Sequence, residues 1–363
     1  MKTANYFKLI CPLLFVLFLG ACERSTEPTA AKQAASSQTT SPVSNSPMEE
    51  DQRLAVFFDE LFERNVSQNP QFQAYLGRKT EDYGRWNDYS DTFAQFENQQ
   101  TAADLERLRA EFDYEALSEI AKVSYRIFEY NQERDLRNFQ WRFHNYAISP
   151  MNDIASSLPT FLQNIHKIES RQDAEDYISR LAGAQVVMQQ IIEQLRESES
   201  IGVIPPMMVY PKVLPGAQNV LKGAPFDETA EDGILLADFR GKLETLELDP
   251  EEKDILLNDA ANALSGPFRN GYQSLITELL RLQSIADKDD GVWSLPDGDA
   301  FYANRIQNWT TVTRTPEDLH QLGLAEVARI RAEMEQIKTE VGFEGDLAAF
   351  FEYVRTNPEN YYD

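Results

Sequence analysis

Apolar residues recur every three or four positions through most of the chain beyond residue 47, and this spacing is the feature that most restricts the fold. A stripe at this spacing marks one face of an amphipathic α-helix, which has to be buried against another element. We therefore expect each stripe to face inward. Four clear examples are Leu117, Ile120, Val123, Ile127 and Tyr130; Tyr177, Leu181, Met188, Ile191 and Leu195; Phe268, Tyr272, Leu275, Leu279 and Leu282; and Leu319, Leu322, Val327, Ile330, Met334 and Ile337.

Residues of the helix-capping type bound these stripes. Thr315 is suited to cap the first free amides of the fourth helix, and Pro316 is suited to its first turn. Asp318 lies three residues after Thr315 and would complete an approximate capping box with it. Gly342 follows the last apolar residue and predicts the end of that helix. In the same way, we expect Asp173 to cap the second helix.

Sustained alternation of apolar and polar residues, which would predict strands, is rare. The best candidate segment, 207–214, is interrupted by Pro211 and flanked by Pro205, Pro206 and Pro215. We therefore predict an all-α fold in which many helices form a large bundle-like array. A helical solenoid is the second interpretation, since no fixed-period repeat accompanies the helices.

Charge and size restrict the class of partner. The chain has 363 residues, 42% of them hydrophobic, and a formal net charge of −25. A chain of this length can bury a sizeable core, as one large or two closely packed helical units. A strongly acidic surface repels nucleic acid, so we expect no nucleic-acid partner.

The N-terminus has the pattern of a lipoprotein signal. Lys2 and Lys8 precede a short apolar run that ends in LGAC at 19–22, and this tetrapeptide resembles a lipobox. We predict that residues 1–21 are a signal peptide and that Cys22 carries lipid, so that the membrane is a partner through acyl chains. An ordinary secretory signal is the alternative. Glu23, in place of an inner-membrane-retaining Asp, favours the outer membrane, facing the periplasm.

Residues 22–47 are predicted to be a flexible tether. This segment consists largely of Ser, Thr, Ala, Pro and Gln and has almost no aliphatic side chains. Such a composition cannot offset its own ordering entropy. Because Cys11 lies in the signal and Cys22 would be acylated, the mature chain would hold no free thiol.

The common catalytic motifs are absent from the sequence. The three histidines, His144, His166 and His320, cannot form the His-Glu-x-x-His helix of a zinc hydrolase. There is no nucleophile elbow, no phosphate-binding loop and no dinucleotide fingerprint. We therefore assign no catalytic residue and no metal ligand, and we expect the histidines to be packing or surface residues.

Several segments together resemble one bacterial family. They are GVWSLPDGDAFY at 291–302, TPEDLHQLGL at 315–324, EVARI at 326–330, LPTFL at 158–162, DAEDY at 173–177 and GVIPP at 202–206. These segments are similar to those of bacterial lipoproteins of domain-of-unknown-function family 885. The resemblance extends over nearly all of the chain after the tether, and places residues 48–363 in a helical family domain.

The resemblance implies a gluzincin-like helical metallopeptidase fold that binds zinc through a helix in its C-terminal half. On that basis this chain is the N-terminal half, truncated at its C-terminus, and forms one wall of a peptide-binding cleft. Zinc is then expected only for the intact domain, with no cofactor in this chain. We also expect a contiguous exposed apolar surface where the other half would pack.

Within the motif at 291–302 and just beyond it, Tyr302 and Arg305 lie one helical turn apart. Their phenol and guanidinium are candidates for binding the carboxylate of a peptide substrate. The alternative is aromatic packing with a surface salt bridge. We expect Trp293 and Phe301 to be core anchors rather than substrate-stacking residues.

Two hypotheses of function follow. In the first, the chain is the anchored N-terminal part of an envelope metallopeptidase-like protein and is inactive alone. In the second, it is a non-catalytic helical lipoprotein that binds a peptide or an envelope partner through its exposed apolar face.

Overall fold

A computed structural model describes residues 47–229, 231–288 and 291–361, and in these ranges the regular structure is helical. Extended pairing there is limited to two isolated bridges, Ser149 with Asn152 and Ala224 with Asp232. The all-α prediction is confirmed. The predicted signal peptide, the acylation site Cys22 and all but the end of the predicted tether lie outside the described residues.

The α-helices are labelled in chain order. They are α1 (Pro47–Gln68), α2 (Pro70–Tyr75), α3 (Asp91–Glu111), α4 (Glu119–Phe139), α5 (Ile154–Asn164), α6 (Arg171–Ser200), α7 (Tyr210–Asn219), α8 (Ile234–Glu244), α9 (Pro250–Ala263), α10 (Arg269–Ile285), α11 (Gly298–Thr310), α12 (Pro316–Glu340) and α13 (Leu347–Thr356). A π-helical segment, Leu264–Phe268, joins α9 to α10, and short 3-10 turns lie at Tyr114–Ala116, Arg142–His144, Val292–Ser294 and Pro358–Asn360.

The main core is built around α6, which packs against α10, α9 and α5. Both apolar stripes predicted for this region are buried, because α6 and α10 turn them toward each other. The two helices touch at Gly271, where a Cβ atom would stand 2.8 Å from the Cα atom of Gln185. A side chain at that position would push the helices apart. On the same pair of helices, buried Glu278 of α10 pairs with Arg196 of α6.

A second core joins α1, α3 and α4 and is largely aromatic. The ring of Phe57 lies 5.3 Å from that of Phe112 and 5.9 Å from that of Phe128. Aromatic pairs at such distances add to the hydrophobic gain. Its buried members are Leu54, Phe57, Leu61, Leu108, Phe112, Leu117 and Tyr125.

The inward stripe predicted for α4 is wrong for most of its members. Ile120, Val123 and Ile127 are 76%, 57% and 57% exposed. The helix carries two apolar stripes, and the face that contains Tyr125 and Phe128 is the one turned inward. The aromatic side chains take the core because they fit the ring cluster of α1 and α3, and helical periodicity alone cannot choose between two apolar faces.

The predicted start and end of α12 are confirmed, whereas its predicted inward stripe is wrong. Thr315 and Asp318 form the capping box, and Gly342 takes φ +69° just after the helix. Leu319 is half-buried, but Val327 and Ile337 are 66% and 51% exposed. The stripe is exposed because no described residue buries it.

The predicted cap of α6 is also corrected. Ser170, not Asp173, accepts the amide hydrogen bond, and the donor is the backbone of Asp173 itself. The Asp173 carboxylate instead accepts from Lys79 Nζ, at 2.7 Å, and from the amide of Glu169. Asp173 therefore ties the segment before α3 to the start of α6.

A fully buried arginine holds the segment between α2 and α3 against α6. Arg180 of α6 donates through Nε to the carbonyl of Arg85 at 3.0 Å, and its guanidinium lies over the ring of Phe161 at 4.6 Å. Trp86 donates its indole N–H to the carbonyl of Arg180 at 2.7 Å. Burial lowers the pKa of Arg180 to about 10, which still leaves it charged at neutral pH.

Candidate functional site

One face of α11 anchors the helix to the turn after α4. Phe301 is buried, with its ring 5.7 Å from that of Trp141 and 5.3 Å from that of His144. His144 Nε2 lies 3.0 Å from the carbonyl oxygen of Pro296, in the segment that leads into α11. These contacts confirm the prediction that Phe301 is a core anchor.

A set of amides fixes α11 across the C-terminal end of α4. Asn138 Oδ1 accepts a hydrogen bond from Nδ2 of Asn304 at 2.9 Å and from Nδ2 of Asn308 at 2.6 Å. Among the described residues, Nε and Nη2 of Arg137 and the hydroxyl of Tyr130 are buried without a hydrogen-bond partner. Unmet buried donors of this kind cost about 1–3 kcal/mol each.

The predicted substrate-binding pair lies on the outer face of α11. Tyr302 is 43% exposed, and Arg305 places its guanidinium 5.7 Å from the ring centre of Trp309. The spacing of Tyr302, Arg305 and Trp309 is three and then four residues, so the three side chains follow one stripe of the helix. Sequence reasoning missed Trp309, which is 71% exposed and whose i+4 position relative to Arg305 was the available signal.

The expectation that Trp293 is a core anchor is wrong. Its side chain is 72% exposed. The indole ring lies directly over Gly291, where a Cβ atom would come within 2.0 Å of the ring. The absence of a side chain at Gly291 therefore leaves room for the ring against the backbone of its own loop.

The exposed stripe of α4 continues the side of the helix that α11 covers. Ile120 precedes Asn138 by 18 residues, and at about 3.6 residues per turn this is five whole turns, so both residues face the same way. Ile127 lies 11 residues before Asn138, close to the same line. We call Ile120, Val123 and Ile127 the α4 apolar face. It is an exposed aliphatic patch on the N-terminal half of α4, and the polar residues Asn131 and Arg134 separate it from Asn138 along the helix.

The described histidines do not meet in one site. His166 is buried beside Arg180, His144 is bound to the carbonyl of Pro296, and His320 is exposed on α12. Across the described ranges, no group of three or more His, Cys, Asp or Glu side chains is arranged to hold a metal ion. No helix within those ranges is long and apolar enough to cross a bilayer.

A groove of about 430 Å³ lies between α1 and α3 on the second core. Two cations stack on the aromatic rings that form its floor: Arg53 over Phe112 at 5.2 Å, and Arg107 over Phe57 at 5.1 Å. Both arginines also pair with glutamates, Arg53 with Glu50 and Arg107 with Glu60 and Glu111. The groove is therefore lined by cations that already have partners.

The described residues form a large helical array, and within it α11 and α12 carry exposed apolar and aromatic side chains. A family model described as "Bacterial protein of unknown function (DUF885)" matches residues 70–363. The chain belongs to this family. No curated protein matches it.

The fold is similar to that of a solved structure from Colwellia psychrerythraea, described as a "putative lipoprotein". The two chains superpose with a TM-score of 0.66 at 20% sequence identity, over 85% of this chain and 55% of that one. This chain therefore spans little more than half the length of the solved protein. At this identity the likeness concerns the fold.

Proposed function

We propose that this chain is a lipid-anchored envelope protein that forms the N-terminal, gluzincin-like part of a metallopeptidase-like assembly and supplies one wall of its peptide-binding cleft. The observation that carries the proposal is the α4 apolar face, whose three aliphatic side chains are more than half exposed in the described part of the chain. The likeness to little more than half of a longer solved protein supports it as well.

The described residues do not fit a zinc site. His166 is held by Arg180 and the carbonyl of Asp173, and His144 by the carbonyl of Pro296. Two imidazoles one helical turn apart, which a zinc-peptidase helix requires, are not found among them. In the proposed assembly the ligands for zinc come from the other part, and this chain's own residues bind and orient the peptide.

The stripe formed by Tyr302, Arg305 and Trp309 is the proposed peptide contact. Arg305 can present its guanidinium fork to a carboxylate while the indole of Trp309 supports its flat face. Tyr302 adds a phenolic hydroxyl one turn away. Such a set would recognise the free carboxylate of a peptide.

Peptide binding can be measured by the fluorescence of Trp309. A short peptide with a free C-terminus should change the emission, whereas its amidated form should bind less well. Arg305→Lys should reduce the preference for the free carboxylate by about tenfold, because a lysine cannot make a bidentate contact. Arg314→Lys, at an exposed position after α11, is the matched control. Equal binding of both peptides would refute this role.

The anchor is tested by replacing Cys22. Full-length protein should incorporate labelled palmitate and sediment with membranes, and Cys22→Ala should abolish both, because the thiol is the acceptor of the lipid. A Glu23→Asp variant should shift the protein from outer-membrane to inner-membrane fractions. Cys11→Ala is the control and should leave labelling unchanged. Labelling that persists in Cys22→Ala would contradict the anchor.

The nucleotide sequence that follows the codon of Asp363 tests the metallopeptidase part of the proposal. A reading frame that continues past the codon of Asp363 into a helix with two histidines flanking a glutamate would support it. Metal analysis gives an independent answer, since residues 1–363 alone should purify without bound zinc. Stoichiometric zinc in that chain would contradict the assignment of the ligands to another part.

A second candidate function is a non-catalytic helical lipoprotein that binds a peptide or an envelope partner. The same uncovered aliphatic and aromatic surfaces favour it, because exposed apolar patches mark interaction sites. It predicts peptide binding without any hydrolysis, and a stop codon after Asp363. Peptide cleavage by the continuous gene product would rule it out.

A further inference from the structure

We draw no further inference here: the strongest candidate, the groove of about 430 Å³ between α1 and α3, has both of its arginines already paired with glutamates, and nothing in the described part of the chain shows what covers it.

Discussion

Nδ1 of His166 lies 3.1 Å from Nη1 of Arg180, and the pair fixes the protonation state of the imidazole. Since a guanidinium can only donate, Nδ1 must carry the lone pair. The proton is therefore on Nε2, which lies 2.9 Å from the carbonyl oxygen of Asp173 and donates to it. The buried histidine is neutral, and burial lowers its pKa from 6.5 to about 3.

The first prediction concerns acid stability. Because the folded pKa of His166 lies below the unfolded value, the unfolded chain binds one more proton between pH 6.5 and pH 3. The stabilising contribution of neutral His166 is complete above about pH 6.5 and is lost as the pH falls, at about 1.4 kcal/mol per pH unit. As the pH falls, the free energy of unfolding of His166→Gln should decrease less steeply than that of the parent. Urea unfolding at several pH values measures the difference.

The control for this experiment is His320→Gln, because His320 is exposed on α12. The gap in free energy of unfolding between the parent and His166→Gln should narrow as the pH falls from 6 to 4. A gap that stays constant over this range would show that His166 does not titrate with unfolding.

The second prediction concerns Arg180. Arg180→Met should lower the free energy of unfolding by about 3 kcal/mol, because it leaves the buried Nδ1 of His166 and the carbonyl of Arg85 without a donor. The segment between α2 and α3 should also become more susceptible to proteolysis. Arg171→Met, which removes an exposed arginine from the start of the same helix, should cost less than about 1 kcal/mol. Equal losses in the two variants would contradict the role of Arg180.

The third prediction concerns the contact between α6 and α10. Gly271→Ala should destabilise the protein by about 1–3 kcal/mol, because its methyl group meets the backbone of Gln185. Gly241→Ala, in α8, has open space around its Cβ position and should be neutral or stabilising by up to about 1 kcal/mol. Thermal unfolding of the two variants provides the comparison, and the opposite order would contradict the close crossing.

The fourth prediction concerns the two faces of α4. Ile120→Gln should change the free energy of unfolding by less than about 0.5 kcal/mol, because the side chain is exposed. Tyr125→Ala should cost about 3 kcal/mol, because its ring packs into the second core. Urea unfolding measures the free energy of unfolding of both variants. A large loss from Ile120→Gln would mean that this face is covered in solution.

The stripes of α6 and α10 and the caps of α12 could be read from the sequence because they depend on local spacing and on short-range hydrogen bonds. The inward face of α4 could not, since the helix carries two apolar stripes and only the rings of Phe57 and Phe112 decide between them. The prediction that Trp293 lies in the core was wrong for a similar reason. The size of its side chain suggested a core position, whereas the nearby Gly291 leaves room for the ring at the surface.

The candidate site was only partly predictable. The i, i+3 spacing placed Tyr302 and Arg305 on one side of α11, but the contact of Arg305 with Trp309 required the folded helix. The cluster around Arg180 gave no sequence signal, because His166 and Arg85 lie far from it along the chain. Family similarity, by contrast, was visible in short ordered segments such as GVWSLPDGDAFY.

The sequence by itself determined that the regular structure of the described residues is helical, where α12 begins and ends, and to which family the chain belongs. These properties follow from periodicity, capping chemistry and local motifs, which act over a few residues. Only the tertiary structure decided which apolar faces are covered and which stay open on α4 and α12. Burial depends on the shape of the surface opposite each helix, and that surface is assembled from residues distant in the chain.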